Sequence, residues 1–322
     1  MSCDVTTFGE LVIDLVPLPT PAGLAYLAKA GGAPANVAAG VARLGPRAAM
    51  ISKVGTEVFG KAALAALQAT GVETASIIRS PEHNTAIAVV SETASGEADF
   101  SFYRENCADS NLSRSEVSAE LIASSKVFHV GTLPLATRAS GAAQRHALSI
   151  AKANGIRVSA DPNFRAAFWR DSERMRSAGL EVIGAANIVK VSAAELRTLT
   201  GHRDLAEGAR ALWHPELIML AVTKGSAGAD IFTRDEAVSV PGFTVSVVDT
   251  VGCGDAFTAS LLVGLLDASF EVGSVETLRE IAVRCCASGA IIATRSGALE
   301  NMPTTDEITH FLSGPAKVTG VA

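Results

Sequence analysis

Positive charge is in short supply in this 322-residue chain: 27 Lys and Arg stand against 33 Asp and Glu, a net charge of −6. A nucleic-acid reader normally carries a basic face, so nucleic acid is not the expected partner. Long apolar runs are missing too. No stretch of about 18 uninterrupted apolar residues occurs, and no membrane span is expected. Met1 to Val5 contains no basic segment leading into an apolar one, so it does not read as a secretory leader. Cysteine is sparse. Cys3, Cys107, Cys253, Cys285 and Cys286 are odd in number and scattered, unlike a secreted disulfide framework. Cys285 and Cys286 sit in an apolar helical run, as core residues do. No Cys/His cluster has zinc spacing. What is abundant is apolar sequence, 48% of the chain, which excludes disorder and allows a sizeable core. These features together lead to the expectation of a cytoplasmic protein.

Short β-branched runs alternate with Ala- and Leu-rich helical stretches. Strands are expected at Val5–Phe8, Leu11–Val16, Ala48–Val54, Lys126–Val130, Arg157–Ala160, Ile188–Val191 and Leu217–Thr223. Helices are expected at Asn36–Leu44, Phe59–Thr70, Arg138–Ala153 and Ala193–Leu199. Further on come strands at Ala229–Thr233, Ala237–Val240 and Val245–Val248, then helices at Ala256–Leu266, Val275–Ala293 and about Thr305–Leu312. This rhythm argues for an α/β fold with a mainly parallel sheet covered on both faces. Two stretches break it. One runs from Leu11 to Lys29 through Pro17, Pro19 and Pro21. The other spans Thr85 to Arg104, a hairpin turning at Ser95-Gly96. Neither has a crossover helix, so they read as a small projecting β-sheet, built from about 10–30 and 84–106. A flap over a site and an ordinary edge hairpin both fit. With no repeat and no long linker, one domain over 1–322 is expected.

The most informative segment is Asp249-Thr-Val-Gly-Cys-Gly-Asp-Ala-Phe257. Gly252 and Gly254 flank Cys253 where a strand passes into an apolar helix. Glycines there let successive N–H groups converge, and a helix N-terminus adds partial positive charge. Asp255 opens the helix. Beside an anion hole a carboxylate suits proton acceptance during phosphoryl transfer; a plain helix-start residue is the other reading. Gly31-Gly-Ala-Pro-Ala-Asn36 similarly places N–H groups and an amide at one spot. With Asp14 it offers donors and an acceptor suited to a polyol, and a loop capped by Asn36 is again the alternative. No G-x-x-x-x-G-K-[ST] occurs. Position 257 is Phe, so the third glycine of G-x-G-x-x-G is missing, against a Rossmann dehydrogenase.

Gly31-Gly32, Asn36 and Arg43-Leu-Gly45 near one end, with Asp249-Thr250-x-Gly252-x-Gly254-Asp255-x-Phe257 near the other, resemble the two signature regions of the ribokinase-like (phosphofructokinase-B type) sugar kinases. The resemblance covers essentially the whole chain and makes the projecting strands look like that family's β-lid. It implies Asp255 as catalytic base and the N–H groups of Gly252, Cys253 and Gly254 as the anion hole. It implies sugar contacts from Asp14, Gly31, Gly32 and Asn36, with Arg104 reaching in from the lid and Arg165 from Asp161-Pro-Asn-Phe-Arg165. Thr223, Lys224, Gly225 and Gly228 look like the nucleotide turn, with Lys190 nearby. The family's N-x-x-E element, linked to Mg²⁺, is Ser192-Ala-Ala-Glu195 here, which is equally a capping box. A K⁺ region would comprise Asp249, Val251, Ile292, Arg295 and Gly297. Cys253 replaces the usual Ala, and at a helix N-terminus its thiol is expected to have a lowered pKa.

Gly9-Glu-Leu-Val-Ile-Asp14, Phe102-Tyr-Arg104 and Lys190-Val-Ser192 most resemble the fructokinase group. ATP, Mg²⁺ and D-fructose are the implied ligands, K⁺ a further one, and a homodimer through the lid the implied assembly. A 2-keto-3-deoxygluconate kinase would use the same arginines on a carboxylate. A silent sugar sensor on the same fold would lack the base or the anion hole.

Overall fold

A computed structural model describes residues 3–20, 23–92 and 98–314. The chain opens with β1 (Cys3–Phe8), β2 (Val12–Thr20), β3 (Gly23–Gly31), α1 (Ala33–Arg43), β4 (Ala48–Gly55), α2 (Val58–Ala69) and β5 (Ile77–Ser80). It continues through β6 (Ile87–Glu92), β7 (Ala98–Tyr103), α3 (Ala119–Ala123), β8 (Ser125–Val130), α4 (Arg138–Ala153), β9 (Arg157–Ala160) and α5 (Ser172–Gly184). Next are β10 (Ile188–Ser192), α6 (Ala193–Thr200), α7 (Leu205–Leu212), β11 (Met219–Thr223), β12 (Ala229–Phe232) and β13 (Ala237–Val240). Three helices follow: α8 (Cys253–Asp267), α9 (Val275–Ala293) and α10 (Thr305–Ser313).

The strands form a nine-stranded sheet, in the order β13-β12-β11-β10-β9-β8-β1-β4-β5. Pairing is parallel from β5 to β11, and β12 and β13 add antiparallel at one edge. Strand side chains alternate in facing, so neighbouring residues feed different cores. Val5, Met50, Val127, Ile188 and Met219 pack in one cluster with residues of α1, α8 and α9. Phe8, Ile51, Phe128, Val189 and Leu220 pack in the other with residues of α4, α5 and α7. That is the α/β fold expected, with helices on both faces. Cys285 and Cys286 are buried in the first core.

A separate four-stranded sheet has the order β3-β2-β6-β7. Pro17 and Pro19 lie within β2, which pairs with β6 only from Ile13 to Leu15. Beyond Leu15 the strand has one neighbour, the edge placement that proline tolerates. Pro21 and the Ser95-Gly96 turn lie outside the described residues.

Three expectations change. Residues 245–248 form no strand: Val247 and Val248 are exposed, and the Val248 N–H bonds the Ala293 carbonyl instead. A β-branched run without a neighbouring strand remains a loop. Helix α1 starts three residues before Asn36, with Gly32 as N-cap and Pro34 in its first turn, so Asn36 is no cap. Helix α8 starts at Cys253, ahead of Ala256. Strand β5 and helices α3, α5 and α7 were not apparent in the sequence.

Candidate active site

In a parallel sheet, ligands sit beyond the carboxyl ends of the strands. Here those ends supply Glu10 after β1, Asn163 and Arg165 after β9, and Ser192 and Glu195 at β10. Together with the small sheet and the start of α8 they line a cleft of about 1080 Å³. Val12, Asp14, Ala88, Phe102 and Arg104 enter from the small sheet or its end. Gly32 and Asn36 come from the α1 start, and Asp249, Val251, Gly252, Gly254 and Asp255 from the α8 start.

Two helices decide the centre. Helix α1 lies against α8 where Gly40 faces Ala259; a Cβ at 40 would come 2.6 Å from that of Ala259. This close approach brings Asn36 and Asp255 together. The Asn36 Nδ2 donates to Asp255 Oδ2 at 2.8 Å. From the other side, Asn163 Nδ2 donates to Asp255 Oδ1 at 3.2 Å. Asn163 has φ 45°, a left-handed conformation that asparagine tolerates better than most residues. Burial raises the Asp255 pKa above its ordinary value, although Asn36, Lys190, Arg165 and Asn163 pull the other way. Asp255 caps nothing. Gly252, at φ 82°, is the N-cap of α8 and makes no side-chain bond, while a Cβ there would run into Ala298. The Asp255 side chain is left to face the cleft, and the first N–H groups of α8 lack intrahelical acceptors.

Asp14 is pushed up to about 6 by burial, opposed by Arg165. A side chain at Gly31 would collide with its carboxylate. Asn36 Oδ1 and Asp109 Oδ1 are buried without a hydrogen-bond partner. Arg104 Nε pairs with Asp109 Oδ2 at 2.6 Å, and its guanidinium lies 5.3 Å from the Phe168 ring centroid. Arg165 lines the cleft and donates to the Phe164 carbonyl.

Lys190 Nζ is 3.0 Å from Asp161 Oδ2, and both are buried. Burial works against the ammonium, but Asp161, Glu195 and Asp255 outweigh it and hold the Lys190 pKa above its ordinary value. Glu195 closes the capping box with Ser192, and its other oxygen accepts the Phe164 N–H at 2.8 Å. Those bonds and Lys190 keep its pKa low despite burial. The 223–228 turn does not line this cleft. Gly225 and Gly228 have positive φ there, while Lys224 Nζ pairs with Asp230 at 2.5 Å and bonds Ser239.

Around the expected K⁺ region, the Asp249 carboxylate accepts the N–H groups of Val251 and Gly297. Arg295 turns to the Asn301 carbonyl and Glu307. Ile292 is buried in the core of α9. The Cys253 expectation is reversed. Burial, with Asp255 and Asp249 beside it, pushes the thiol up to about 11 rather than lowering it.

Sequence reasoning missed Glu10, Asp109 and Asn163. Asn163 stood inside a segment already singled out. Glu10 did too, in Gly9–Asp14, but its contacts with Ala33 and Arg104 exist only in the fold, and Asp109 carries no local signal.

Residues 3–305 match the model of the pfkB family carbohydrate kinases. Fructokinase-2 of Solanum habrochaites is 38% identical over 317 residues, covering 97% of this chain and 97% of that protein. The crystal structure of a Xylella fastidiosa fructokinase with bound ATP superposes with a TM-score of 0.89 at 30% identity, covering 96% of this chain and 98% of the other. A fructokinase double mutant from Vibrio cholerae O395, in a form with fructose, ADP and a potassium ion bound, gives 0.85 at 30% identity, with 97% and 99% covered. The chain belongs to the pfkB family of carbohydrate kinases.

Proposed function

We propose that this enzyme transfers the γ-phosphoryl group of ATP to the 6-hydroxyl of D-fructose. The observation that carries the reading is Asp255, buried at the α8 start, held by two amide donors and facing the cleft. In that position it takes the proton of the attacking hydroxyl. The oxygen then displaces ADP in line, while the N–H groups of Gly252, Cys253 and Gly254 stabilise the charge on the phosphoryl oxygens. Asp14 and the unpartnered Asn36 Oδ1 accept sugar hydroxyls, Arg104 and Arg165 donate, and Gly31 and Gly32 give room. The fructokinase relatives and the ligands in the two solved structures support fructose and ATP.

The small sheet serves as the lid, excluding water that would compete as acceptor. We read the chain as one kinase domain on which that sheet sits. Leu18 and Leu27 share the Asp14 face of it and remain exposed, so a second copy covers them in a homodimer. Lys190 and the 223–228 turn serve the nucleotide. Mg²⁺ bound with ATP neutralises phosphate charge. Among the described residues no group of three or more His, Cys, Asp or Glu could hold a metal. Glu195, with both oxygens engaged, does not fit a direct ligand and acts through water. Asp249 is likewise engaged, which leaves carbonyls of the 249–251 and 292–297 segments for K⁺. Among the described residues no helix is long and apolar enough to cross a membrane. Five free cysteines and ATP as donor favour a cytoplasmic setting.

The test is an ADP-release assay with ATP and Mg²⁺ on fructose, 2-keto-3-deoxygluconate, ribose and a nucleoside. Turnover on fructose is expected. Turnover on the keto-acid alone overturns the substrate but keeps the kinase. Silence on all four, with ATP still bound, points to an untested sugar or to a sensor, which sugar-binding calorimetry separates.

A further inference from the structure

Two of the three cations of the cleft are paired with carboxylates. Lys190 has Asp161, whereas Arg165 is exposed and only lies in the field of Asp14 and Asp255. Arg104 is the most tightly committed. Its side chain is 6% exposed, its Nε is 2.6 Å from an Asp109 carboxylate that is 3% exposed, and Phe168 lies against the guanidinium. Phe168 is fixed in turn by Phe102, at 4.6 Å between ring centroids. Asp109 does not line the cleft; it stands behind Arg104. Glu10, buried and lining the cleft, brings a second carboxyl into the field of Arg104.

A guanidinium arranged this way is a poor receptor for an anion. Its charge is already cancelled at hydrogen-bond distance in a site sheltered from water, where attraction and repulsion are stronger than in solvent. An incoming carboxylate at Arg104 would have to leave water and lie near Glu10 and Asp14 while the buried guanidinium it meets is already paired. A neutral sugar bears no such cost. The Nε–H is taken by Asp109, but the terminal N–H groups still donate to hydroxyl oxygens.

We propose that Asp109 is a specificity-determining positioning residue, which cancels the Arg104 charge so that the pocket accepts neutral sugars and rejects sugar acids. The proposal rests on the reading of this cleft as the sugar site. It makes neutral sugar against sugar acid a matter of one residue behind the pocket wall, since both classes can use the same arginine.

The experiment compares kcat/KM for fructose and for 2-keto-3-deoxygluconate in wild type and in Asp109→Asn, at low and at high salt. Wild type is expected to favour fructose by at least about 100-fold. In the variant Arg104 has lost its counter-charge. The acid-to-fructose ratio is expected to rise by about tenfold or more, through KM for the acid, with the larger rise at low salt. Loss of fold alone would lower both activities together and could not produce that gain. A ratio that stays the same or falls overturns the proposal. Wild type also tests it without any variant, because inhibition of fructose turnover by the acid must be weak. Strong competitive inhibition by the acid overturns the proposal while leaving the kinase intact. Wild type inactive on both compounds overturns the fructose reading itself, and the proposal with it.

Discussion

Asn36 on α1 and Asp255 on α8 are 219 positions apart in sequence, yet the amide of one is 2.8 Å from the carboxylate of the other. The contact is a consequence of helix packing. Gly40, one turn beyond Asn36, faces Ala259, one turn beyond Asp255, so the same close approach seats both pairs.

Gly40→Ala should therefore cost about 1–3 kcal/mol by overpacking and lower kcat severalfold by moving Asn36 off Asp255. The double variant Gly40→Ala/Ala259→Gly should recover most of both losses. Thermal melts and steady-state turnover on the three proteins check this. A double variant as damaged as the single one contradicts it.

Asp14 is held at about 6 by burial, above the ordinary carboxylate range. Its charged form is the better acceptor for a sugar hydroxyl. Fructose KM should rise as pH falls through about 6, because Asp14 then takes up a proton. Asp14→Asn should start from a weaker KM that no longer changes over that range. A KM profile of the variant that keeps the wild-type inflection rules out Asp14 as its source.

Glu10 is pushed up to about 7, chiefly by burial. Its folded pKa lies above its unfolded value, so its contribution to stability is fully present at acid pH and is lost as pH rises through about 7. Glu10→Gln keeps an acceptor for the Ala33 N–H without that loss. Relative to wild type, the variant should gain on the order of 2 kcal/mol between about pH 5 and about pH 8. The check is the difference in melting temperature between the two proteins across that range; a constant difference refutes the assignment.

Leu18 and Leu27 on the small sheet remain exposed on the face that also carries Asp14. Burying two leucines at an interface contributes a few kcal/mol, so Leu27→Glu should convert a dimer to a monomer. Sedimentation of both proteins at matched concentration decides it. Wild type that sediments as a monomer removes the proposed assembly.

Much of the architecture was legible because its causes are local. Runs such as 188–191, β-branched except for Lys190, mark strands buried on both faces. Helix α5 escaped notice because its buried face is made of Met175, Ala178, Gly179, Val182 and Ile183 among arginines and glutamates, with little bulk to set the period. Residues 245–248 misled for the opposite reason, having strand composition with no strand beside them. In the site, the Gly252–Asp255 and Gly31–Asn36 segments were visible because backbone geometry demands glycine there. Glu10, Asp109 and Asn163 were not, since their roles exist only through partners that the fold brings near. Cys253 shows the limit of a local argument. A helix N-terminus favours a thiolate, but burial beside two carboxylates outweighs it.

In the proposed reaction Asp255 takes the proton from the substrate hydroxyl. The most direct measurement is the turnover of Asp255→Asn with ATP, Mg²⁺ and fructose, alongside calorimetric ATP binding. Asparagine keeps the size and can still face Asn36 and Asn163. ATP affinity should stay nearly unchanged while kcat falls by about 10²–10⁴-fold. Turnover close to wild type would contradict it.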